Sequence, residues 1–242
     1  MDIVVDAVHC GPPESGNGGW TSGSLAAYVH TTPAEPAVRV RLTSPPPLGR
    51  AMTVTHDGQA WELRDGEHAV ASAWPAPRPD VEGLEPVTAA VAAAAEERFE
   101  GLADHPFPTC FTCGTDRSPA EALCLRPGPL GDGTGRYAAR WTPRVAVPTL
   151  VWAALDCPGG WSAGIAGRPM VLGEMTCLVE ALPEPGLEHV VIARHTGGTG
   201  RKHYSASALY APDGRRLATA TATWIAVDPT AVRPTRSTKE QS

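Results

Sequence analysis

The sequence lacks the excess of basic residues that a nucleic-acid-binding surface requires. Its 242 residues include 20 Lys and Arg against 26 Asp and Glu, which gives a formal net charge of -6. Binding to a phosphate backbone depends on clustered positive charge. We therefore expect no polynucleotide partner.

The sequence also lacks long apolar runs. No apolar stretch approaches the 18 or so residues of a membrane-spanning helix, and the first residues, MDIVVDAVHCGPP, have neither the basic flank nor the apolar segment of a signal peptide. We expect a cytoplasmic protein without a membrane partner. Reduced thiols rather than a disulfide framework are then expected at its six cysteines, namely Cys10, Cys110, Cys113, Cys124, Cys157 and Cys177.

Glycine and proline are abundant, with 25 of each. Many of them separate short runs of Val, Thr, Ala and Trp, a pattern typical of strands and turns. Segments such as Leu217–Trp224 alternate apolar residues with Thr, which indicates a sheet with one buried face. The composition therefore favours a protein dominated by sheet.

An ordered set of features occurs twice along the chain: a helix-like segment, an apolar strand, a proline-containing turn, a second strand, and a hairpin closed by Asp-Gly. In the first copy these are Gly18–Val29, Val38–Thr43, Ser44–Gly49, Ala51–Thr55 and Ala60–Trp74. In the second copy they are Pro148–Cys157, Val171–Val179, Glu180–Gly186, His189–Arg194 and His203–Val227. Since each copy offers one helix to cover its sheet, we predict an α+β fold of two fused units, each a helix wrapped by an antiparallel sheet.

The copies define the predicted domains. Residues 1–80 form the first unit, 81–104 a partly helical linker, 105–229 the second unit, and 230–242 a disordered tail. The two helices align in either of two ways, with Gly18-Gly19-Trp20 on Gly159-Gly160-Trp161 or with Asn17 on Val147. We prefer the second alignment because it places Pro148 in the first helical turn, where the missing N–H has no cost.

The stretch from His105 to Gly114, His-Pro-Phe-Pro-Thr-Cys-Phe-Thr-Cys-Gly, is followed by a glycine-rich strand and then by Val151–Asp156. Over most of Phe107–Val227 the chain resembles hotdog-fold thioesterases of the phenylacetate-pathway type. In that family the central helix starts at His-Gly-Gly and carries a carboxylate about two turns later. Asp156 matches the carboxylate, but Val147-Pro148-Thr149 replaces His-Gly-Gly.

The first copy differs from this family in the opposite way, because it has the helix start but lacks the carboxylate. Asn17-Gly18-Gly19 resembles the helix start, whereas Ala26 occupies the carboxylate position. The resemblance therefore implies a double hotdog with one composite site, which combines Asn17, Gly18 and Gly19 with Asp156. The implied substrate is an acyl-CoA or an acyl-carrier protein, with coenzyme A as part of the substrate and no separate cofactor.

Thioester hydrolysis needs donors for a developing oxyanion and a base or nucleophile. Free N–H groups at a helix N-terminus can supply the donors, and glycines allow a carbonyl to approach closely. Asp156 could deprotonate water or attack directly, and burial would raise its pKa toward the range useful for a base.

A second resemblance, to type-II acyl-CoA thioesterases, makes Glu174 a rival. The segment Leu172–Val179 is similar to the strand that carries their catalytic acid. Thr196 lies near the position of their threonine, but Ala222 stands where they have a glutamine.

The candidate substrate-binding residues have two interpretations each. Trp20 and Trp161 either line an acyl pocket or pack in the core. Arg201 and Lys202 follow a glycine-rich stretch and either hold the phosphates of coenzyme A or form a hairpin loop.

The pair Cys110 and Cys113, even with Cys124 and His105, lacks the second cysteine pair of a structural zinc site, so no metal is expected. An enoyl-thioester hydratase, a non-catalytic acyl-binding protein and a homodimer are the alternatives that remain open.

Overall fold

The structure is a computed structural model that describes residues 1–228; the predicted disordered tail at 230–242 lies outside the described residues. Its three α-helices are α1 (Gly18–Ala26), α2 (Ala89–Glu96) and α3 (Pro148–Ser162). Its strands are β1 (Asp2–Val4), β2 (Ala37–Leu42), β3 (Ala51–His56), β4 (Trp61–Asp65), β5 (His68–Ala76), β6 (Gly128–Pro129), β7 (Arg136–Trp141), β8 (Met170–Val179), β9 (His189–Thr199), β10 (Lys202–Tyr210) and β11 (Arg216–Ala226). None of the helices within residues 1–228 is long and apolar enough to cross a membrane.

All strands join one sheet in the order β1-β3-β4-β5-β2-β8-β11-β10-β9-β7-β6. The first half is joined to the second where β2 pairs antiparallel with β8, with Val38 opposite Cys177 and Arg41 opposite Glu174. The strand order on one side of this junction mirrors the order on the other, because β2, β5, β4, β3 and β1 occupy the places of β8, β11, β10, β9 and β7. Each half also has one central helix, so the architecture is a double hotdog in the α+β class.

The helix starts follow the alignment that we preferred from the sequence. Asn17 is the N-cap of α1, where its Oδ1 accepts a 2.8 Å hydrogen bond from the Trp20 N–H, and Val147 occupies the same position before α3. The sequence prediction ended the second helix at Cys157, which was wrong, because α3 continues through Pro158 to Ser162. Gly159 and Gly160 lie in this last part of the helix, and a Cβ atom on either would come within about 3 Å of Ser205 or Trp224 on the sheet.

The helices α1 and α3 pack directly against each other in opposite directions. A Cβ atom added to Gly19 would lie 2.6 Å from Asp156 Cβ, and one added to Gly23 would lie 2.8 Å from Trp152 Cβ. Because only glycine permits this approach, the N-terminus of α1 lies against the middle of α3. This contact brings the predicted helix start of one unit to the predicted carboxylate of the other.

The two faces of the second half of the sheet pack against different partners. On β9, Val191 belongs to the main core beneath α1 and α3, whereas Val190 and Ile192 pack with Ala92 and Ala95 of α2 on the opposite face. This alternation is the period-2 pattern of a strand. The helix α2 therefore covers the outer face of the second unit.

Candidate active site

A cavity of about 610 Å³ opens where the start of α1 meets α3, the loop that carries Cys110 and Cys113, and strands β8 and β11. Its wall is largely apolar and includes Phe107, Ile165, Met170, Leu172 and Trp224. Its polar lining comes from Asp156, His105, the start of α1 at Gly18, and the nearby side chains of Glu14, Ser15, Thr43 and Ser44. An apolar pocket with a few convergent polar groups is the usual form of a small-molecule site.

Asp156 lines this cavity and is 2 % exposed. Its Oδ2 accepts a 2.9 Å hydrogen bond from the Gly19 N–H across the helix contact. Its Oδ1 is buried and accepts no well-formed hydrogen bond from residues 1–228. Burial raises the pKa of Asp156 to about 7, although the Gly19 N–H and the nearby Asn17 amide oppose that shift.

The three residues at the start of α1 make different contacts, and two of them, Asn17 and Gly19, are engaged elsewhere than at a substrate carbonyl. The Gly19 N–H donates its one hydrogen to Asp156 Oδ2. It is therefore not available to an oxyanion, although an N–H at a helix N-terminus has no acceptor within the helix. The Asn17 side chain caps α1 and directs its Nδ2 toward Cys110 Sγ, at 3.7 Å. The Gly18 N–H has no acceptor among residues 1–228, and Gly18 lines the cavity.

Three cysteine side chains also line the cavity. The Sγ atoms of Cys110, Cys113 and Cys157 lie within 4.8 Å of one another, and all six cysteines of the chain are free, as the sequence predicted. Sequence reasoning paired Cys110 with Cys113 but missed Cys157, which lies on α3. The residue immediately before it, Asp156, was already a candidate, and that adjacency was the available signal.

His105 lines the cavity but has no free ring nitrogen. Its Nδ1 accepts a hydrogen bond from the Phe107 N–H at 3.0 Å, which leaves Nε2 as the donor to the Cys113 carbonyl, also at 3.0 Å. Burial lowers the pKa of His105, which favours this neutral form. Cys124, the fourth residue considered with this group, has its Sγ 3.6 Å from the Arg117 carbonyl and does not join the three clustered sulfurs.

The rival residues Glu174 and Thr196 share a separate groove of about 410 Å³, together with Ala222. Ala206, which lies in the α2 packing cluster, also lines this groove, so the groove is on the outer face of the sheet, opposite the Asp156 cavity. Glu174 forms a 2.8 Å ion pair with Arg41 and its side chain is 25 % exposed. The structure therefore brings Glu174 and Thr196 together in one groove, on the other face of the sheet from Asp156.

The predicted substrate-binding residues are elsewhere. The Trp20 ring stacks on His9 at 3.5 Å, and the Trp161 ring is fully buried edge-on against Phe99 and His105, so both pack in the protein rather than line the cavity. Arg201 and Lys202 are exposed at the β9–β10 turn and line neither of these two cavities. The large aromatics fill the tightly packed interior, and the basic pair belongs to a hairpin.

Comparisons with solved structures place this fold among known ones, whereas no protein-family model and no curated protein sequence matches the chain. A hot dog fold protein of unknown function from Alicyclobacillus acidocaldarius is 16% identical, with a TM-score of 0.57 over 94% of this chain and 92% of that one. The tesB protein of Mycobacterium avium subspecies paratuberculosis is 10% identical, with a TM-score of 0.54 over 88% of each chain. The dehydratase domain of PpsC from Mycobacterium tuberculosis, solved with C12:1-CoA, is 12% identical, with a TM-score of 0.54 over 94% of this chain and 92% of that one. At these identities the likeness concerns the fold, and the chain is a double-hotdog protein.

Proposed function

We propose that this protein hydrolyses an acyl thioester, carried by coenzyme A or by an acyl-carrier protein, in the single cavity between α1 and α3. The observation that carries the proposal is the Asp156 carboxylate, whose Oδ2 is fixed by the Gly19 N–H and whose buried Oδ1 accepts no well-formed hydrogen bond from residues 1–228. A buried polar atom without a partner indicates a bound molecule or a reacting group. A solved acyl-CoA thioesterase II from Mycobacterium marinum, which is 9% identical with a TM-score of 0.50 over 81% of each chain, supports the same reaction class.

In this proposal Asp156 is the general base. Its Oδ1 accepts a proton from a water molecule while the bond from Gly19 to Oδ2 fixes the orientation of the carboxylate. A base must lie within hydrogen-bond reach of the proton that it removes, and a free, immobilised oxygen meets this geometric condition.

The thioester carbonyl would be polarised by the Gly18 N–H, which lines the same cavity and has no acceptor in the described part of the chain. As water attacks, the carbonyl oxygen gains negative charge, and a fixed N–H at a helix N-terminus stabilises that charge. When the carbonyl forms again, the carbon–sulfur bond breaks, and the leaving thiolate takes the proton that Asp156 removed from the water. The apolar wall formed by Phe107, Ile165, Met170 and Leu172 would hold the acyl chain.

The equivalent position in the other half of the molecule, at the start of α3, lacks the groups of this site. At the equivalent helix start stands Val147 followed by Pro148, which has no N–H, and Ala26 takes the place of the carboxylate. Neither a donor matched to Gly18 nor a base is present there. One active cavity per chain is therefore proposed.

The test is release of free coenzyme A, measured by chromatography so that the protein's own thiols do not interfere. Acetyl-, octanoyl-, palmitoyl- and benzoyl-CoA would each be incubated with the wild-type chain and with Asp156→Asn, which keeps the size of the side chain but removes the base. We expect turnover of at least one substrate by the wild type and its loss in the variant. Saturable binding without coenzyme A release from any of the four would instead favour a non-catalytic acyl-binding protein.

Hydration of an enoyl thioester is the second candidate, since His105 lines the cavity with Asp156 and one structural neighbour is a dehydratase domain. It is less favoured because both ring nitrogens of His105 are engaged by the backbone. Loss of the enoyl absorbance of crotonyl-CoA without coenzyme A release would identify this reaction. A cytoplasmic location and a homodimer stay predictions.

A further inference from the structure

Three thiols converge on one point in the cavity wall. Cys110 and Cys113 come from one loop and Cys157 from α3, and each of the three residues is less than a tenth exposed. Their Sγ atoms all lie within 4.8 Å of one another, and Cys110 Sγ and Cys157 Sγ are 3.7 Å apart. The edge of a tetrahedron of sulfurs around zinc is about 3.8 Å, from a zinc–sulfur bond of about 2.3 Å.

The loop that carries two of these sulfurs is a tight turn. The Gly114 N–H donates to the Cys110 carbonyl at 2.9 Å, and a Cβ atom at position 114 would lie 2.5 Å from the carbonyl oxygens of both Cys110 and Pro108. The turn therefore requires glycine at position 114. The turn holds both side chains toward Cys157.

N–H groups surround the sulfurs. The backbone N–H groups of Thr112 and Cys113 interact with Cys110 Sγ, and the Asn17 amide reaches the same atom at 3.7 Å. The buried indole N–H of Trp161 makes no well-formed hydrogen bond within residues 1–228. Donors of this kind stabilise the thiolate of Cys110, the form of cysteine that binds metal.

We propose that Cys110, Cys113 and Cys157 bind one zinc ion in the wall of the cavity. Three soft sulfur ligands select zinc over the hard cations Mg²⁺ and Ca²⁺. Among the described residues no fourth His, Cys, Asp or Glu atom joins the cluster, so the fourth coordination position faces the cavity that Asp156 and His105 also line. Three protein ligands with one open position is the pattern of a zinc ion that contacts a small molecule. This proposal stands without the proposed hydrolysis.

The test is the zinc content of the full-length chain, expressed in zinc-supplemented medium and freed of any metal-binding tag. Mass spectrometry of the metal would be compared between the wild type, Cys157→Ala, Cys110→Ala and the control Cys177→Ala. Cys177 is as deeply buried as Cys110 but lies on β8, outside the cluster. We expect about one zinc ion per chain in the wild type and in the control, and less than a tenth of that in the two cluster variants.

A second measurement uses only the wild type, in case a cluster variant does not fold. Titration with an organomercurial that modifies thiols should release the zinc in step with modification of the cluster, as read by a zinc-sensitive dye. Wild-type protein without zinc, zinc that persists in folded Cys157→Ala, or iron or copper in place of zinc would each overturn the proposal. Absence of thioesterase activity would leave the zinc content unaffected, so the two proposals fail separately.

Discussion

The contact between Gly19 and α3 predicts that Gly19→Ala destabilises the protein, because the new methyl group has no space. It would lie 2.6 Å from Asp156 Cβ, 2.7 Å from the Trp152 carbonyl oxygen and 2.9 Å from Ala153 Cα. Two of these atoms belong to the backbone of α3, so no side-chain rotation relieves the contact. The helices must separate by roughly 1 Å to restore ordinary van der Waals distances.

The size of the effect follows from three contributions. Overpacking costs about 1–3 kcal/mol, and lengthening the Gly19 hydrogen bond to a buried carboxylate costs about 1.5–3 kcal/mol. The better helix propensity of alanine offsets about 1 kcal/mol. A net loss of about 1.5–5 kcal/mol in a chain of this size lowers Tm by roughly 3–20 °C.

Thermal unfolding followed by circular dichroism measures this difference. The matched control is Ser24→Ala on the same helix, where the Ser24 hydroxyl donates only to the Trp20 carbonyl at 2.9 Å, and its Tm should stay within about 2 °C of the wild type. If Gly19→Ala unfolds within 1 °C or so of the wild type, the close contact between α1 and α3 is refuted.

Three further predictions concern the cavity wall, a core hydrogen bond and pH. Leu172→Trp fills part of the cavity, so it should lower turnover of palmitoyl-CoA more than that of acetyl-CoA; equal effects in steady-state assays would contradict the assignment of the acyl chain to this wall. Thr112→Val removes the buried 3.1 Å hydrogen bond from Thr112 to the Ala153 carbonyl and should cost about 1–3 kcal/mol in denaturant unfolding, whereas an unchanged midpoint would show that the bond contributes nothing. Burial against Trp20 lowers the pKa of His9, so the folded chain binds fewer protons than the unfolded chain near pH 6, and the free energy of unfolding falls as the pH drops through about 6.5. His9→Gln should make the free energy of unfolding less dependent on pH in this range, whereas an unchanged dependence would show that His9 does not contribute to it.

Local sequence signals predicted much of the fold. The capping residue Asn17, the proline at the first turn of α3, and the Asp-Gly turns of the hairpins act within a few residues, so their effects are readable without the structure. The proximity of Asn17-Gly18-Gly19 to Asp156 was also predicted from sequence, because the two segments resembled complementary halves of one helix-start and carboxylate pattern. Their contact in the structure depends on the antiparallel packing of the two helices.

The rest depended on long-range packing. Pro158 does not end α3, because the following glycines pack under Trp224 on a distant strand. A register shift between Thr223 and Trp224 on β11 interrupts the alternation opposite Glu174, so counting along the strand could not show which face Glu174 occupies. The convergence of Cys157 with a loop more than 40 residues earlier is likewise a property of tertiary structure.

The most direct test of the central claim compares two carboxylates in one assay. Asp156→Asn and Glu174→Gln would be measured at saturating concentration of the acyl-CoA that the wild type hydrolyses fastest, after circular dichroism shows that both fold. We expect Asp156→Asn to lower kcat at least about 100-fold, or about 2.7 kcal/mol, because a general base is lost. Glu174→Gln breaks only a partly exposed ion pair with Arg41, so it should change kcat less than about twofold. The reverse result would place the chemistry in the outer groove and refute the role of Asp156.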